Sequence, residues 1–301
     1  MATLSPTAVE RSVLATQRRP SARRRVWQRF ASNRLSLFGL AMLTLLTGMS
    51  LIGPLVLDRL AGLQPNTLSC ETLAPASTDH PLGCDQLGRD LLARLVVGGR
   101  VSISVGLLVA LCTTVIGLIV GLSAGYFGAT TDSVLMRFTD TMLGMPTFFI
   151  VLAAAALLGP NLFNTILIIG LTQWMTTARL IRGECLAIRE KEFILAARAS
   201  GLTHLRVMRH ILPNVMPTLI VVATLAVASG ILIESGLSYL GLGVQPPNAS
   251  WGSMLSNAQG YIFVAPSQGV YPGVLIVLTV LAVNFVGEGL RDALDPRLGG
   301  R

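Results

Sequence analysis

The chain has 301 residues, of which 52% are hydrophobic and only 13% are charged, and its mean hydropathy is +0.66. Soluble globular chains carry roughly 25% charged residues, so the composition excludes a single soluble domain and predicts that lipid covers much of the surface. The net charge of +8 does not indicate nucleic-acid binding, because 22 of the 23 basic residues are arginines clustered beside apolar runs, as in the flanks of membrane spans.

Six apolar stretches predict helices that cross a bilayer, whose hydrocarbon core of about 30 Å takes about 20 residues of helix. Backbone groups in lipid must pair within their own segment, so the sequence predicts an all-α polytopic membrane protein. The fourth stretch is the shortest of the six. In chain order, the predicted spans are 35–57, 101–125, 134–158, 163–178, 215–235 and 271–290.

The first span follows an arginine-rich tail, 1–34. A secretory signal has an apolar region of about 7–15 residues followed by a small-residue cleavage site. The stretch 35–57 is longer than that, and no A-x-A site follows it. We therefore expect an uncleaved membrane anchor.

Basic residues are distributed asymmetrically between alternate loops. Eight arginines precede the first span and seven basic residues lie in 179–214, whereas 58–100 holds only four. Because cytoplasmic loops carry the excess of arginine and lysine, both chain ends, 1–34 and 292–301, are predicted to be cytoplasmic together with 179–214. The long segments 58–100 and 241–270 are then extracytoplasmic.

Motifs for nucleotide or metal chemistry are absent from the sequence. A phosphate-binding loop G-x-x-x-x-G-K-[ST] needs a lysine, and the only lysine, Lys191, follows Glu190. The zinc motif H-E-x-x-H is also missing. The chain is therefore predicted to be no enzyme, and to bind neither a cofactor nor a metal.

One enzyme-like pattern, GLSAG at 121–125, matches the G-x-S-x-G nucleophile motif. Its serine would need a histidine within hydrogen-bond reach, and no predicted span contains one, so an intramembrane serine protease is only a minor alternative. Gly117, Gly121 and Gly125 recur every four residues instead. This spacing predicts a glycine face on a helix that a neighbouring helix approaches closely.

Three acidic residues lie within the predicted spans. Asp140 follows Arg137 by three residues on one helix face, so a local ion pair is expected. Glu234 is expected near the outer surface, and Glu288 near the inner end of the last span. These positions do not form the buried carboxylate chain of a proton-coupled carrier, which makes secondary transport the weaker alternative.

Cys70 and Cys84 both lie in 58–100, on the side assigned to an oxidising compartment. A disulfide between them is therefore predicted. Two free thiols, or a metal site shared with His80, are the alternatives.

The segment 192–213 predicts two short helices that meet at Gly201, because glycine is favoured just beyond a helix C-terminus. The first helix has small residues at its centre and charged residues at its ends. Such a pair would project from the membrane and offer a small-residue surface to a partner protein. An ordinary cytoplasmic loop is the alternative.

This segment also resembles the EAA loop of ABC importer permeases, through Ala196, Ala197, Gly201 and the Ile-Leu-Pro at 211–213. In that family the loop docks into a groove on the ATPase subunit. Leu195 stands where the family has Glu, so that contact is expected to be absent, and the spacing from glycine to Leu-Pro is slightly short. The resemblance makes the following residues candidate ATPase contacts: Phe193, Leu195, Ala196, Ala197, Ala199, Gly201 and Leu202.

The resemblance extends over about 30–298. Residues 80–90, HPLGCDQLGRD, are similar to the HPLGTDxxGRD signature of the dipeptide/oligopeptide branch, with Cys84 in place of Thr. Residues 234–252 resemble its E-x-x-LSFLGLG…PP…WG stretch. The closing GLRDALDP at 289–296 matches its GLRDxLDP.

This resemblance implies a type I importer permease (MetI-like) fold with an extra N-terminal helix and a core at 101–291. It implies a multi-pass protein of the prokaryotic plasma membrane that forms a path for short peptides together with a homologous permease subunit. Two ATP-binding-cassette ATPases would use the ATP, and an extracytoplasmic substrate-binding protein would deliver the substrate. Relatives in this branch carry nickel chelates or glutathione, which are the alternative substrates. The residues that line the path are not identified.

Overall fold

A computed structural model describes residues 22–294. Within this range the chain folds into ten α-helices and one short 3₁₀ turn, without a β-strand, so the prediction of an all-α fold is confirmed. Most of the predicted tails, 1–34 and 292–301, lies outside the described residues. The helices are α1 (Ala22–Ser32), α2 (Arg34–Ala61), α3 (Leu91–Phe127), α4 (Ala129–Leu143), α5 (Thr147–Leu158), α6 (Leu162–Arg189), α7 (Glu192–Ala199), α8 (His204–Tyr239), α9 (Trp251–Ala258) and α10 (Ser267–Leu294).

Helix α3 is the centre of the bundle. It packs along α6 and α8, while α10 packs against α2 and α8. The carboxylate of Asp90 caps its start by accepting the backbone N–H of Ala93 at 2.7 Å. With 37 residues the helix is about 55 Å long, so it extends beyond the roughly 30 Å of a hydrocarbon core.

The three glycines of the predicted glycine face lie where α3 meets α6. A Cβ added at Gly117 would lie 2.6 Å from the Cβ of Thr177. At Gly121 an added Cβ would overlap the carbonyl oxygen of Ala178. Only glycine therefore lets the two backbones approach this closely.

Four helices are long and apolar enough to cross a membrane, namely α2, α3, α8 and α10. The predicted third span, 134–158, is not one helix, because the chain bends by 84° between α4 and α5. The bend coincides with Gly144, Met145 and Pro146. Proline has no N–H and disfavours helical geometry in the residue before it, so α4 cannot continue. Counted as one span, the bent pair raises the number to five.

Helix α6 contains the predicted fourth span, 163–178. It is a continuous helix of 28 residues, about 42 Å long. It is less apolar than the four helices named above and is not among those apolar enough to cross a membrane. Polar side chains such as Thr172 and Gln173 interrupt its apolar run. The sixth membrane span therefore stays a prediction.

The segment 62–90 between α2 and α3 has no regular secondary structure and is shorter than the predicted loop 58–100. A buried ion-pair cluster holds it together. Asp85 lies 2.7 Å from the Nη2 of Arg89 and 3.3 Å from the Nε of Arg94. The side chain of Gln268 in α10 donates to the carbonyl oxygen of Cys84 at 2.7 Å, which fastens this segment to the last helix.

One of the expectations about acidic residues is wrong. Asp140 accepts hydrogen bonds from Arg179 Nε at 3.1 Å and Nη2 at 2.5 Å, and not from Arg137, because α6 runs beside α4. Glu234 is 0% exposed, because α3 and the segment after α8 cover it; how close it lies to the outer membrane surface stays a prediction. Glu288 is exposed near the end of α10.

Candidate functional site

Helix α7 forms the turn that connects α6 to α8, and Gly201 ends it. The φ angle of Gly201 is +76°, the left-handed region that glycine adopts without strain. The N–H of Gly201 donates to the carbonyl oxygen of Arg198 at 2.9 Å, and that of Leu202 donates to Ala197 at 3.3 Å. These two bonds are the Schellman pattern, which satisfies the last carbonyls of the helix. The sequence therefore placed this helix end correctly.

One side of α7 is anchored and the other is exposed. Ile194 is 0% exposed and packs in an apolar cluster with Ile188, Val207 and Ile211. Phe193 and Leu195, which flank Ile194 about 100° to either side around the helix, are 46% and 48% exposed. The buried isoleucine fixes the helix, so the exposed apolar groups form a preformed surface.

We call this exposed set the α7 surface. Of the seven candidate contacts, Ala197 and Leu202 are half-buried, and Leu202 packs against the same apolar cluster as Ile194. Large exposed apolar groups that are held in place are typical of protein–protein interaction sites. The exposed members of the set, which define the α7 surface, are Phe193, Leu195, Ala196, Ala199 and Gly201.

Polar contacts fasten this turn to the end of α3. The guanidinium of Arg198 lies over the ring of Tyr126, 4.9 Å from its centroid. The hydroxyl of Tyr126 is in turn 2.9 Å from Nδ1 of His204, the first residue of α8. Arg189 donates to the carbonyl oxygen of Gly125 at 2.9 Å, where a cation meets the C-terminal end of the helix dipole. The turn is thus coupled to α3 as well as to α6 and α8.

The second short helix predicted in 192–213 does not exist as a separate element. Helix α8 begins at His204 and continues unbroken through Pro213 and Pro217 to Tyr239. The proline pair marks no boundary here. The turn is therefore joined directly to a long membrane helix.

The structure does not assemble a serine nucleophile. The three histidines of the chain all lie in the described residues, and each has another partner. His80 contacts Asp90 at 2.9 Å, His204 contacts Tyr126, and His210 lies 2.7 Å from the carbonyl oxygen of Arg206. None of them reaches Ser123, so the pattern at 121–125 serves helix packing.

The sulfur atoms of Cys70 and Cys84 are in bonding contact, with their Cα atoms 6.4 Å apart. His80 lies beside them, so the three could offer ligand atoms within 4.8 Å of one another. A disulfide leaves no thiolate to bind a metal, so the two arrangements exclude each other. The geometry favours the disulfide, and His80 already forms a hydrogen bond with Asp90.

Sequence comparison identifies the family. Residues 117–300 match the sequence model described as "binding-protein-dependent transport system inner membrane component". The chain belongs to this family. Residues 21–65, which include α1 and α2, match the N-terminal transmembrane domain of oligopeptide transport permease C. The MetI-like permease fold with an extra N-terminal helix, expected from the motifs, is thereby confirmed.

Several curated permeases are similar to this chain over most of its length. The dipeptide transport system permease protein DppC of Bacillus subtilis is 39% identical, covering 90% of this chain and 85% of its own. The oligopeptide transport system permease protein OppC of the same organism is 38% identical, covering 90% and 88%. OppC of Haemophilus influenzae is 42% identical, covering 72% and 70%.

The sequence did not identify the parts of the permease that hold the α7 surface in place. Ile194 is the anchor, yet it lies in an apolar run, 193–197, that has no clear polar side. Tyr126 lies at the end of a predicted span, far from Arg198 along the chain. Hydropathy gives no signal for such contacts between distant helices.

Proposed function

We propose that this chain is a membrane permease subunit of an ATP-driven importer of short peptides. Its family and the dipeptide and oligopeptide permeases it resembles support the proposal. The observation that carries it is the α7 surface. Ile194 is fully buried beneath it, whereas Phe193 and Leu195 stay about half exposed at the tip of a turn between two long helices.

The α7 surface is the docking site for an ATP-binding-cassette ATPase. Its alanines and glycine let a partner backbone approach closely, and its two large apolar side chains fit an apolar groove. Leu195 offers no carboxylate, so apolar packing dominates the contact. Closure of two ATPases moves this surface only if they contact it differently in their two states, since a ligand shifts a conformational equilibrium by its differential affinity.

A homologous permease subunit completes the path, and a binding protein delivers substrate from the opposite side of the membrane. The basic residues around α7 support a cytoplasmic location for this turn by the positive-inside rule, in a topology of six spans with both chain ends on the same side. ATP hydrolysis belongs to the ATPase subunits, because the sequence has no phosphate-binding loop.

Reconstitution in liposomes tests this function. The chain is co-purified with its partner permease, both ATPases and the binding protein, and uptake of labelled di- and oligopeptides is measured with ATP inside. We expect ATP-dependent uptake that requires the binding protein. A complex that takes up a nickel chelate or glutathione, but no peptide, would replace the peptide substrate with one of these. Uptake by the isolated chain along an ion gradient would contradict the proposal of an ATP-driven importer.

A further inference from the structure

A carboxyl group lies in the interior of the bundle, at the end of α8 remote from the α7 surface. Glu234 is 0% exposed, and no ion pair within residues 22–294 includes it. Its oxygens accept from serine hydroxyls instead. Ser238 donates to Oε1 at 2.7 Å, and Ser102 of α3 donates to Oε2 at 3.4 Å. The permease function assigned above does not use this group.

Ser102 links the carboxyl group of Glu234 to the start of α9 by hydrogen bonds. Its Oγ accepts the backbone N–H of Trp251 at 3.1 Å. Trp251 is the first residue of α9, so its N–H has no partner within that helix. A hydroxyl has one proton and two lone pairs. Because the proton of Ser102 is directed to Glu234, its lone pairs are free to accept from Trp251.

Ser238 links the same carboxyl group to the segment that precedes α9. Its Oγ accepts the backbone N–H of Val244 at 3.0 Å and the hydroxyl of Ser250 at 3.5 Å. Val244 lies in the irregular segment between α8 and α9, and Trp251 is the residue at which α9 begins. Two chains of hydrogen bonds therefore start at these backbone N–H groups, pass through one serine each, and end at the same carboxyl group.

We infer that Glu234 is a positioning residue that holds the segment 244–251 against α3 and α8. Both carboxyl oxygens accept from serine hydroxyls, and this sets the direction of both chains. An amide of the same size has one accepting oxygen and one donating nitrogen. It would accept from one serine and donate to the other. At Ser238 this added donor competes with the N–H of Val244, because Ser238 already accepts from Val244 and from Ser250. A buried N–H without an acceptor is unfavourable.

The functional part of this inference rests on the proposed function. The segment 244–251 lies at the end of α8 opposite the turn that would bind the ATPase. The proposed orientation makes this the side on which the binding protein delivers substrate. Glu234 therefore fixes the surface that the binding protein meets, and it does so without contacting the substrate.

Hydrogen–deuterium exchange, read residue by residue by mass spectrometry on the assembled transporter, tests the positioning. We expect Glu234→Ala to speed exchange at both Val244 and Trp251 by about fivefold or more, the effect of losing one net hydrogen bond at each. Ser102→Ala should act on Trp251 alone and Ser238→Ala on Val244 alone. Glu288→Ala, which removes an exposed acid on α10, is the matched control and should change neither.

Glu234→Gln keeps the size of the side chain and changes the direction of one of its hydrogen bonds. We expect it to speed exchange at Val244 and to reduce ATP hydrolysis stimulated by the binding protein, while the basal hydrolysis of the assembled ATPases is unchanged. Exchange within about twofold of wild type at both positions, in the Ala and Gln variants alike, would overturn the inference. If Glu234→Ala does not accumulate in the membrane, the two serine variants test the inference. Ser102→Ala must then speed exchange at Trp251, and Ser238→Ala must speed exchange at Val244. A wild-type complex that does not import substrate refutes the proposed function but leaves the exchange result valid.

Discussion

Gly125 of α3 and Cys185 of α6 face each other where the two helices touch, so that a Cβ added at Gly125 would lie 2.7 Å from the Cβ of Cys185. The carbonyl oxygen of Arg182 lies 2.9 Å from the same point. The helix pair is thus fixed at a separation that any side chain on this face would increase.

Gly125→Ala is expected to destabilise the protein by about 1–3 kcal/mol, the usual cost of overpacking a close contact. Gly183→Ala on α6 is the control, because an added Cβ there meets nothing within 4 Å. Alanine favours a helix over glycine by about 1 kcal/mol, so the control should be neutral or stabilising. Thermal unfolding of the two variants in detergent measures the difference. Equal melting temperatures would contradict the packing assigned to this face.

Gly201→Asp is expected to abolish substrate-stimulated ATP hydrolysis and uptake with normal abundance in the membrane. An added Cβ meets nothing within 4 Å, so the variant folds, although the positive φ costs about 1 kcal/mol. The carboxylate would be buried unpaired against the ATPase. A loss of roughly 4 kcal/mol weakens docking about a thousandfold.

Gly201→Asn is the matched control for this change, because Asn also tolerates a positive φ and carries no charge. We expect Asn to retain much more activity than Asp. Transport by Gly201→Asp at a rate near wild type would show that the α7 surface is not the coupling site.

Cys70 and Cys84 are expected to be oxidised in native membranes. Mass spectrometry without reducing agent should detect the linked peptide. The disulfide closes a short loop, which contributes about 3 kcal/mol in the chain-entropy model. Cys70→Ser should therefore increase proteolysis within 62–90. Two thiols that alkylate freely in native membranes would refute the bond.

Asp132 of α4 and Arg182 of α6 form a bidentate pair, with Nε–Oδ1 at 2.5 Å and Nη2–Oδ2 at 2.6 Å. Asp132→Asn is expected to lower stability by about 1 kcal/mol, because it weakens charge-assisted hydrogen bonds that are partly shielded from water. The pair between Asp140 and Arg179 is more than half exposed, so Asp140→Asn should cost less. Chemical unfolding compares the two variants, and a larger loss for Asp140→Asn would contradict this ranking.

The sequence predicted the elements whose signal is local. The apolar runs located the long helices, and Gly201 marked the end of α7, because hydropathy and backbone preference are properties of a few neighbouring residues. The bend at Pro146 was missed although the residue was visible. A proline within an apolar run is compatible with both a kinked helix and a broken one.

Contacts between distant helices were not predictable in this way. Helical spacing suggested Arg137 as the partner of Asp140, but Arg179 on the adjacent helix takes that place. The burial of Glu234 within the bundle was not predicted, because only its position along α8 could be judged from the sequence. Its burial depends on residues such as Ser102 and Trp251, which the fold brings together from far apart in the chain.

The uninterrupted course of α8 makes it a lever. Its 36 residues span about 54 Å, so a tilt of about 5° at one end would displace the other by roughly 5 Å. One end carries the turn with the α7 surface, and the other carries Glu234 and the segment bound to it. If α8 moves as a rigid body, a small rotation imposed at the turn is magnified into a movement on the far side.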